Sequence, residues 1–193
     1  MTYDVEGIIL EKKPFRENDR LFTLYTRERG KISVVGISTR KKESKLAGNL
    51  ELFTKAYFTI AHGKAFDRIA TVDPIVHRTV SESTWDSFIA TTYGTNIMCS
   101  LVHWEEPSLE LYTLLDAYVA ALFEKTFADA VWYTDAFHAR CLELLGHGAI
   151  SLAGYHEQNH AKELRGRVDT MVRTLCDPLP PSAVFYTYLT NRK

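Results

Sequence analysis

The first 76 residues carry five short apolar segments, and turn-forming residues separate them about every ten residues. β-branched and aromatic side chains dominate these segments, as is typical of β-strands. The sequence predicts strands over residues 5–10, 20–26, 31–37, 52–61 and 66–76. Gly30 precedes the third strand and can adopt the positive φ of a hairpin turn.

Five strands in one small sheet leave two edges whose backbone groups need partners, and closure into a barrel satisfies both edges. A five-stranded Greek-key barrel of this size is the OB type, which binds oligonucleotides. Composition alone does not separate it from an SH3-like barrel. Gly7, inside the first segment, predicts a β-bulge or a tight bend.

After residue 80 the apolar period changes from two residues to that of a helix. The sequence predicts helices over residues 81–102, 107–125, 129–145 and 161–176, and a short final helix over 182–190. Their apolar stripes are typical of a helix-bundle core. Glu105-Glu106-Pro107 predicts a break after the first helix, and Gly94 weakens the middle of that helix.

The predicted fold class is therefore α+β, with a five-stranded barrel domain over residues 1–80 and an all-α domain over residues 81–193. Charge follows the same division. Residues 1–80 hold 15 Lys and Arg against 10 Asp and Glu, whereas the remainder holds 8 against 14. We expect a polyanion to be attracted by the first domain and repelled by the second.

A basic loop follows the third strand. The run from Ser38 to Lys45 contains four cations and one anion, together with hydroxyl side chains. Arginine binds phosphate through two parallel donors, and lysine acts as a point charge. Such a loop is consistent with phosphate binding, although a lone basic loop is more often a solvated surface.

The three cysteines, Cys99, Cys141 and Cys176, are widely spaced within apolar helical patterns. We expect free buried thiols and a reducing compartment. The N-terminus lacks the basic start of a signal peptide, and no apolar run reaches the roughly 18 residues of a membrane span. The predicted location is the cytoplasm.

Most sequence motifs of common enzymes are absent. The chain has no GxxxxGK[ST], GxSxG or GxGxxG, and HExxH occurs once, at 156–160. A single short motif is weak evidence for catalysis, and no spacing of Asp and His nominates a catalytic group. We therefore predict a binding protein rather than an enzyme, with no cofactor.

The first 80 residues resemble the N-terminal domain of the bacterial recombination mediators of the RecO family. The resemblance lies in four ordered segments: VEGIIL at 5–10, FRENDRLFTLYT at 15–26, GKISVVG at 30–36 and RKKESKLAGNL at 40–50. It is clear over residues 1–80 and weaker over 81–148. It implies an OB-fold followed by a helical domain.

The resemblance also implies a function. RecO-like proteins bind single- and double-stranded DNA and anneal complementary strands. They engage RecR and the C-terminal tail of the single-stranded DNA-binding protein, and they help to load recombinase in recombinational repair. The DNA-binding residues expected by position are Arg16, Arg20, Lys31, Arg40, Lys41, Lys42 and Lys45. Phe15 and Tyr57 are candidates for base stacking, although barrel core is the commoner role for such aromatics.

One feature departs from the family. Many relatives carry a four-cysteine zinc motif soon after the segment that aligns with residues 141–146, but here residues 147–154 contain no cysteine. Cys141, His147, His156 and His160 could offer ligands, and His156 and His160 stand four residues apart. Exposed histidines are the commoner case, so we predict no metal site. The chain is also shorter than typical relatives, so we expect part of the helical domain to be missing.

A second function remains open. It is a protein-binding adaptor whose barrel has lost its affinity for DNA and whose acidic helical half holds a partner. Convergence of Arg40, Lys41, Lys42 and Lys45 with Arg16 and Arg20 on one face favours DNA binding, and scatter of these residues favours the adaptor.

Overall fold

The computed structural model describes residues 1–41, 43–44, 46–78, 84–124, 130–151 and 158–191. Within them the fold is α+β, with five strands followed by five helices, as predicted. The chain divides into two compact units. The barrel unit comprises Met1–Glu82 and His103–Tyr112, and the helical unit comprises Ser83–Val102 and Thr113–Lys193.

The five strands close into a barrel in the order β1-β2-β3-β5-β4. Their bounds are β1 Thr2–Pro14, β2 Arg20–Thr26, β3 Gly30–Gly36, β4 Lys55–Ala61 and β5 Arg68–Val76. β1 is longer than predicted because its first half pairs with β4 and its second half pairs with β2. β3 and β5 run parallel and close the barrel where Val35 is paired with Arg68.

The barrel core is apolar and comes from all five strands. Phe22, Leu24, Phe58 and Ile60 are fully buried in it, and Leu50 from the β3–β4 connection packs with them. Along β4, alternation of side chains places Phe58 and Ile60 inside and leaves Tyr57 exposed. β2 is buried on both faces, since Thr23 and Tyr25 are buried as well.

Gly7 does not mark the irregularity of β1. It pairs in regular register with Thr26 of β2 and Ala56 of β4. The register shift in the pairing with β2 lies between Ile9 and Glu11 instead. The prediction of a bulge at Gly7 was therefore wrong.

Residues 103–112, here called the return segment, belong to the barrel unit although they follow the first helix. The Glu105 amide donates to the Lys31 carbonyl oxygen at 2.9 Å. The Tyr112 hydroxyl donates to Glu6 Oε1 at 3.0 Å, and Lys55 Nζ lies 3.0 Å from the same oxygen. Gly30 has a φ of +63°, as predicted, and a Cβ there would overlap the Glu106 carbonyl oxygen.

The five helices occur close to the predicted ranges. They are α1 Trp85–Leu101, α2 Leu109–Glu124, α3 Ala130–Leu144, α4 Gln158–Leu175 and α5 Ser182–Asn191. Thr84 caps α1, since its side chain accepts a hydrogen bond from the Ser87 amide. No helix among the described residues is long and apolar enough to cross a membrane.

Buried aromatic residues form the centre of the helical unit. Tyr118 stacks on Phe137 with ring centroids 4.0 Å apart, and its hydroxyl donates to the Ala90 carbonyl oxygen at 2.7 Å. Tyr93 stacks on Tyr186 with centroids 4.2 Å apart. These contacts confirm that Tyr93, Tyr118 and Phe137, from the aromatic stripes of the helices, are core, whereas Trp85 at the start of α1 is 64% exposed.

Candidate nucleic-acid interface

Three loops meet at one end of the barrel, here called the loop end. They are the β1–β2 loop (15–19), residues 37–41 after β3, and the β4–β5 loop (62–67). The Arg40 amide donates to the Asn18 carbonyl oxygen at 3.0 Å, and the Val35 amide donates to the Asp67 carbonyl oxygen at 2.8 Å. These main-chain hydrogen bonds join the β1–β2 loop to the residues that follow β3, and the β4–β5 loop to the end of β3.

Arg16 and Arg40 lie next to each other at the loop end. Arg40 Nη1 lies 3.5 Å from the Arg16 carbonyl oxygen, at the limit of a hydrogen bond. The Arg16 side chain is 65% exposed, and Arg40 is exposed as well. The Arg40 guanidinium thus lies against the main chain of Arg16, 24 residues earlier in sequence, and both side chains are exposed at the loop end.

Arg20 has a different role from Arg16. Its Nη1 donates to the Thr39 carbonyl oxygen at 3.0 Å, and the residue is half-buried. The Ser38 amide in the same loop donates to Asp19 Oδ1 at 2.8 Å. Arg20 therefore fixes the loop that carries Arg40 and contributes positive charge behind it.

The other predicted cations divide into three cases. Lys41 is exposed at the loop end. Lys42 and Lys45 lie outside the described residues. Lys31 is only 7% exposed, and its ammonium lies 4.4 Å from the centre of the Trp104 ring. Because a buried ammonium stacked on an indole does not reach a phosphate in solvent, we do not retain Lys31 as a DNA contact.

A groove at the loop end brings in residues that were not predicted. It has a volume of about 220 Å³ and contains Lys64 and Arg68, both exposed, together with Phe66 and Ile37. Phe66 is 42% exposed and meets Phe15 edge to face, with ring centroids 5.0 Å apart. The one sequence signal for this site is the run KAFDR at 64–68, where two cations flank a phenylalanine.

Tyr57, the other predicted stacking residue, lies elsewhere. It is 55% exposed in the middle of β4, opposite Glu6 on β1 and Asp73 on β5. The Glu6 charge is paired with Lys55, but Asp73 is exposed, and its carboxylate makes that surface less favourable for a phosphate backbone.

Asp67 holds the β4–β5 loop in place. Its carboxylate accepts from the Tyr3 hydroxyl at 2.9 Å and from the Gly63 amide at 3.3 Å, and His62 Nδ1 lies 3.2 Å away. Desolvation opposes ionisation of Asp67, but these hydrogen bonds outweigh it and lower its pKa. Burial and the bond to Asp67 raise the pKa of Tyr3 to about 12, so Tyr3 remains a donor.

We expect Asp67→Asn to lower the free energy of unfolding at pH 7 by about 1 kcal/mol, because hydrogen bonds to an ionised group are lost. Since the folded pKa of Asp67 is depressed, its contribution is complete above the unfolded value of 3.8 and disappears as the pH falls through the folded value. Urea unfolding of both proteins from pH 7 towards pH 3 measures this difference. Asp73→Asn, at an exposed position of β5, is the control, and an equal effect of both substitutions would contradict the role of Asp67.

The described residues contain no group of three His, Cys, Asp or Glu side chains that could hold a metal ion. Cys141 is buried, and burial raises the pKa of its thiol, which opposes formation of a metal-binding thiolate. His147 is exposed, His160 lies in α4, and His156 lies outside the described residues.

Comparison with known proteins agrees with the barrel. Residues 1–77 match the family model described as recombination protein O N terminal. A protein of Trichodesmium erythraeum is 32% identical over 153 residues, which cover 78% of this chain and 51% of the relative. One of Gloeothece citriformis is 32% identical over 124 residues, covering 64% and 44%. One of Synechococcus elongatus is 33% identical over 114 residues, covering 59% and 43%.

All three relatives are named DNA repair protein RecO. The chain spans about half the length of the curated relatives it matches. The match to the family model covers the strands that close the barrel, and the similarity to the relatives extends beyond it into the helical unit. By this similarity and by its OB-type barrel, the chain belongs to the RecO family.

Proposed function

We propose that the chain is a DNA-binding recombination mediator that binds single-stranded DNA at the loop end of its barrel and promotes the pairing of complementary strands. The observation that carries the proposal is the contact of the Arg40 guanidinium with the Arg16 main chain at the loop end, where Lys41, Lys64 and Arg68 are also exposed. Names of the relatives place them in DNA repair, and membership of the family supports the same role here.

The proposed mechanism is electrostatic. Arg16 and Arg40 are exposed, and each can donate two N–H groups to a phosphate. Neutralising phosphates releases condensed counterions and lowers the repulsion between two strands that approach each other. Main-chain bonds already fix the three loops, so little ordering is needed when DNA binds. No covalent step and no nucleotide hydrolysis enter this mechanism.

The proposed partners follow from the family. They are single- and double-stranded DNA, a RecR-like protein, and the C-terminal tail of a single-stranded DNA-binding protein. Together they serve to load recombinase onto gapped DNA. The acidic balance of residues 81–193 makes the helical unit a poor DNA surface and leaves it to protein contacts.

We expect Arg16→Gln/Arg40→Gln to weaken single-stranded DNA binding about tenfold at low salt, because two phosphate contacts are lost. The slope of log K against log[salt] should fall by about 1.4, since each contact to a single strand contributes about 0.7. Fluorescence anisotropy of a labelled oligonucleotide over a salt series measures both quantities.

The matched control is Arg140→Gln/Arg167→Gln, which removes the same charge from exposed positions of the helical unit. It should leave the slope unchanged. Equal slopes for the two double variants would place the DNA contacts elsewhere. A wild-type protein that binds no DNA at low salt would refute the proposal and favour the adaptor whose barrel has lost its affinity for DNA.

A further inference from the structure

The groove at the loop end has an apolar interior and a cationic rim. Val35 and Ile37 lie inside it with the two phenylalanine rings, and Ile37 is 45% exposed. Arg16, Lys64 and Arg68 supply positive charge around these apolar residues. An apolar surface next to several cations suits a ligand that combines a flat apolar group with negative charge.

The two phenylalanine rings are not equivalent. The Arg16 guanidinium carbon lies 5.1 Å from the centre of the Phe15 ring, so a cation already occupies a position over Phe15. Phe66 meets Phe15 through an edge-to-face contact and remains 42% exposed. Phe66 is therefore the ring that can accept a further stacked group.

The loop that carries Phe66 is rigid. A Cβ at Gly63 would overlap the Phe66 carbonyl oxygen, so the turn closes too tightly for another residue. The Asp67 carboxylate accepts from Tyr3 and from the Gly63 amide, and its carbonyl oxygen accepts from the Val35 amide. A ring held in this way loses little freedom when a ligand stacks on it.

One carboxylate, that of Asp19, also lines the groove. Its Oδ1 accepts from the Ser38 amide at 2.8 Å, and its Oδ2 lies 4.0 Å from Arg16 Nη1. Its charge is therefore partly compensated within the protein. The three cations of the groove exceed this single acid, and the groove stays attractive to an anion.

From these observations we infer that the groove binds one unpaired nucleobase, which stacks on Phe66 while the adjoining phosphates contact Arg16 on one side and Lys64 and Arg68 on the other. The volume of about 220 Å³ is below that of pockets for drug-sized ligands and suits a fragment of this size. A base inside a duplex is already stacked on its neighbours and is not available to Phe66. The inference rests on the proposed DNA binding and adds a preference for single strands that phosphate contacts alone do not give.

The test compares three ligands: a single-stranded oligonucleotide of about 16 nucleotides, the same backbone with abasic sugars, and the duplex of the same sequence. Wild type should bind the single strand about tenfold more tightly than the abasic strand, as expected for stacking of one base. Phe66→Ala should lose this advantage, bind the abasic strand and the duplex as wild type does, and keep the wild-type salt dependence.

Two variants complete the design. Phe66→Trp keeps an aromatic face and should retain the advantage, which separates stacking from a change in the loop. Phe185→Ala removes a phenylalanine that is 58% exposed on α5 and should have no effect. If Phe66→Ala keeps the advantage, or weakens all three ligands alike, the base site is wrong while DNA binding stands. If wild type binds none of the three ligands, the proposed function itself fails.

Discussion

Acidification from pH 7 to pH 4 is expected to lower the free energy of unfolding of wild type by about 3 kcal/mol more than that of a His138→Gln variant. His138 is 2% exposed in α3, its ring lies against Tyr93, and its Nε2 has no hydrogen-bond partner among the described residues. Burial lowers the pKa of His138 to about 4, and a hydrogen bond with the backbone of Gly94 only partly opposes this.

The sign follows from proton uptake. Between pH 6.5 and pH 4 the unfolded chain carries a proton on His138 that the folded chain lacks, so the free energy of unfolding falls as the pH falls. A difference of about 2.5 pKa units corresponds to about 3 kcal/mol. His138 lines a cleft together with four charged residues, Asp135, Arg165, Asp169 and Arg173. These residues are present in both proteins, so their own contributions to the pH dependence cancel in the comparison.

Urea unfolding at several pH values, followed by the helical circular dichroism signal, gives the two curves. The difference between them should grow as the pH falls from 6.5 and level off near 4. NMR of the His138 ring in the folded protein provides an independent check, since the ring should show no titration above about pH 5. Parallel curves, or a ring that titrates near 6.5, would show that His138 is accessible to water.

The second large effect is expected at Gly94. Alanine is a better helix former than glycine by about 1 kcal/mol, so Gly94→Ala would stabilise an unpacked helix. In α1, however, a new Cβ would overlap the Tyr118 hydroxyl and lie 2.7 Å from Tyr118 Cζ. Overpacking costs 1–3 kcal/mol, and displacement of Tyr118 breaks its buried hydrogen bonds to Ala90 and Thr134. We expect a net loss of about 2 kcal/mol.

Gly166→Ala is the matched control, because Gly166 also lies inside a helix and a Cβ there meets no atom within 4 Å. It should gain up to about 1 kcal/mol. Combining Gly94→Ala with Tyr118→Phe removes the overlapping hydroxyl, so the double variant should be more stable than the sum of the single effects predicts. Thermal and urea unfolding of wild type, Gly94→Ala, Tyr118→Phe and the double variant measure this coupling. A stabilising Gly94→Ala would mean that α1 and α2 are less tightly packed at this point.

The elements of the barrel were predictable because their cause is local. β-branched and aromatic segments with a glycine at the hairpin favour strands, and Gly30 has the expected positive φ. The adjacency of Arg16 and Arg40 is not local. It depends on the register of β1 on β2 and of β2 on β3. The amino-acid sequence alone does not give that register.

Contacts between distant parts of the chain are hidden in the same way. Position in the sequence made Lys31 an expected DNA contact, but Trp104, far along the chain, sets its environment. Lys64 and Phe66 lie in the turn between β4 and β5, and Arg68 is the first residue of β5. They join the proposed site although no periodicity in the sequence marks them. Gly94 was expected only to weaken its helix, whereas Tyr118 from another helix gives the glycine a packing role.

The return segment makes the barrel unit discontinuous in sequence. The polypeptide passes from the barrel unit to the helical unit, back again, and then to the helical unit once more. No single peptide-bond cleavage can separate the two units, and a fragment ending at residue 77 or 80 lacks the partners that Glu6 and Lys31 have in residues 103–112. A barrel moved into another protein therefore keeps these contacts only if α1 and the return segment move with it.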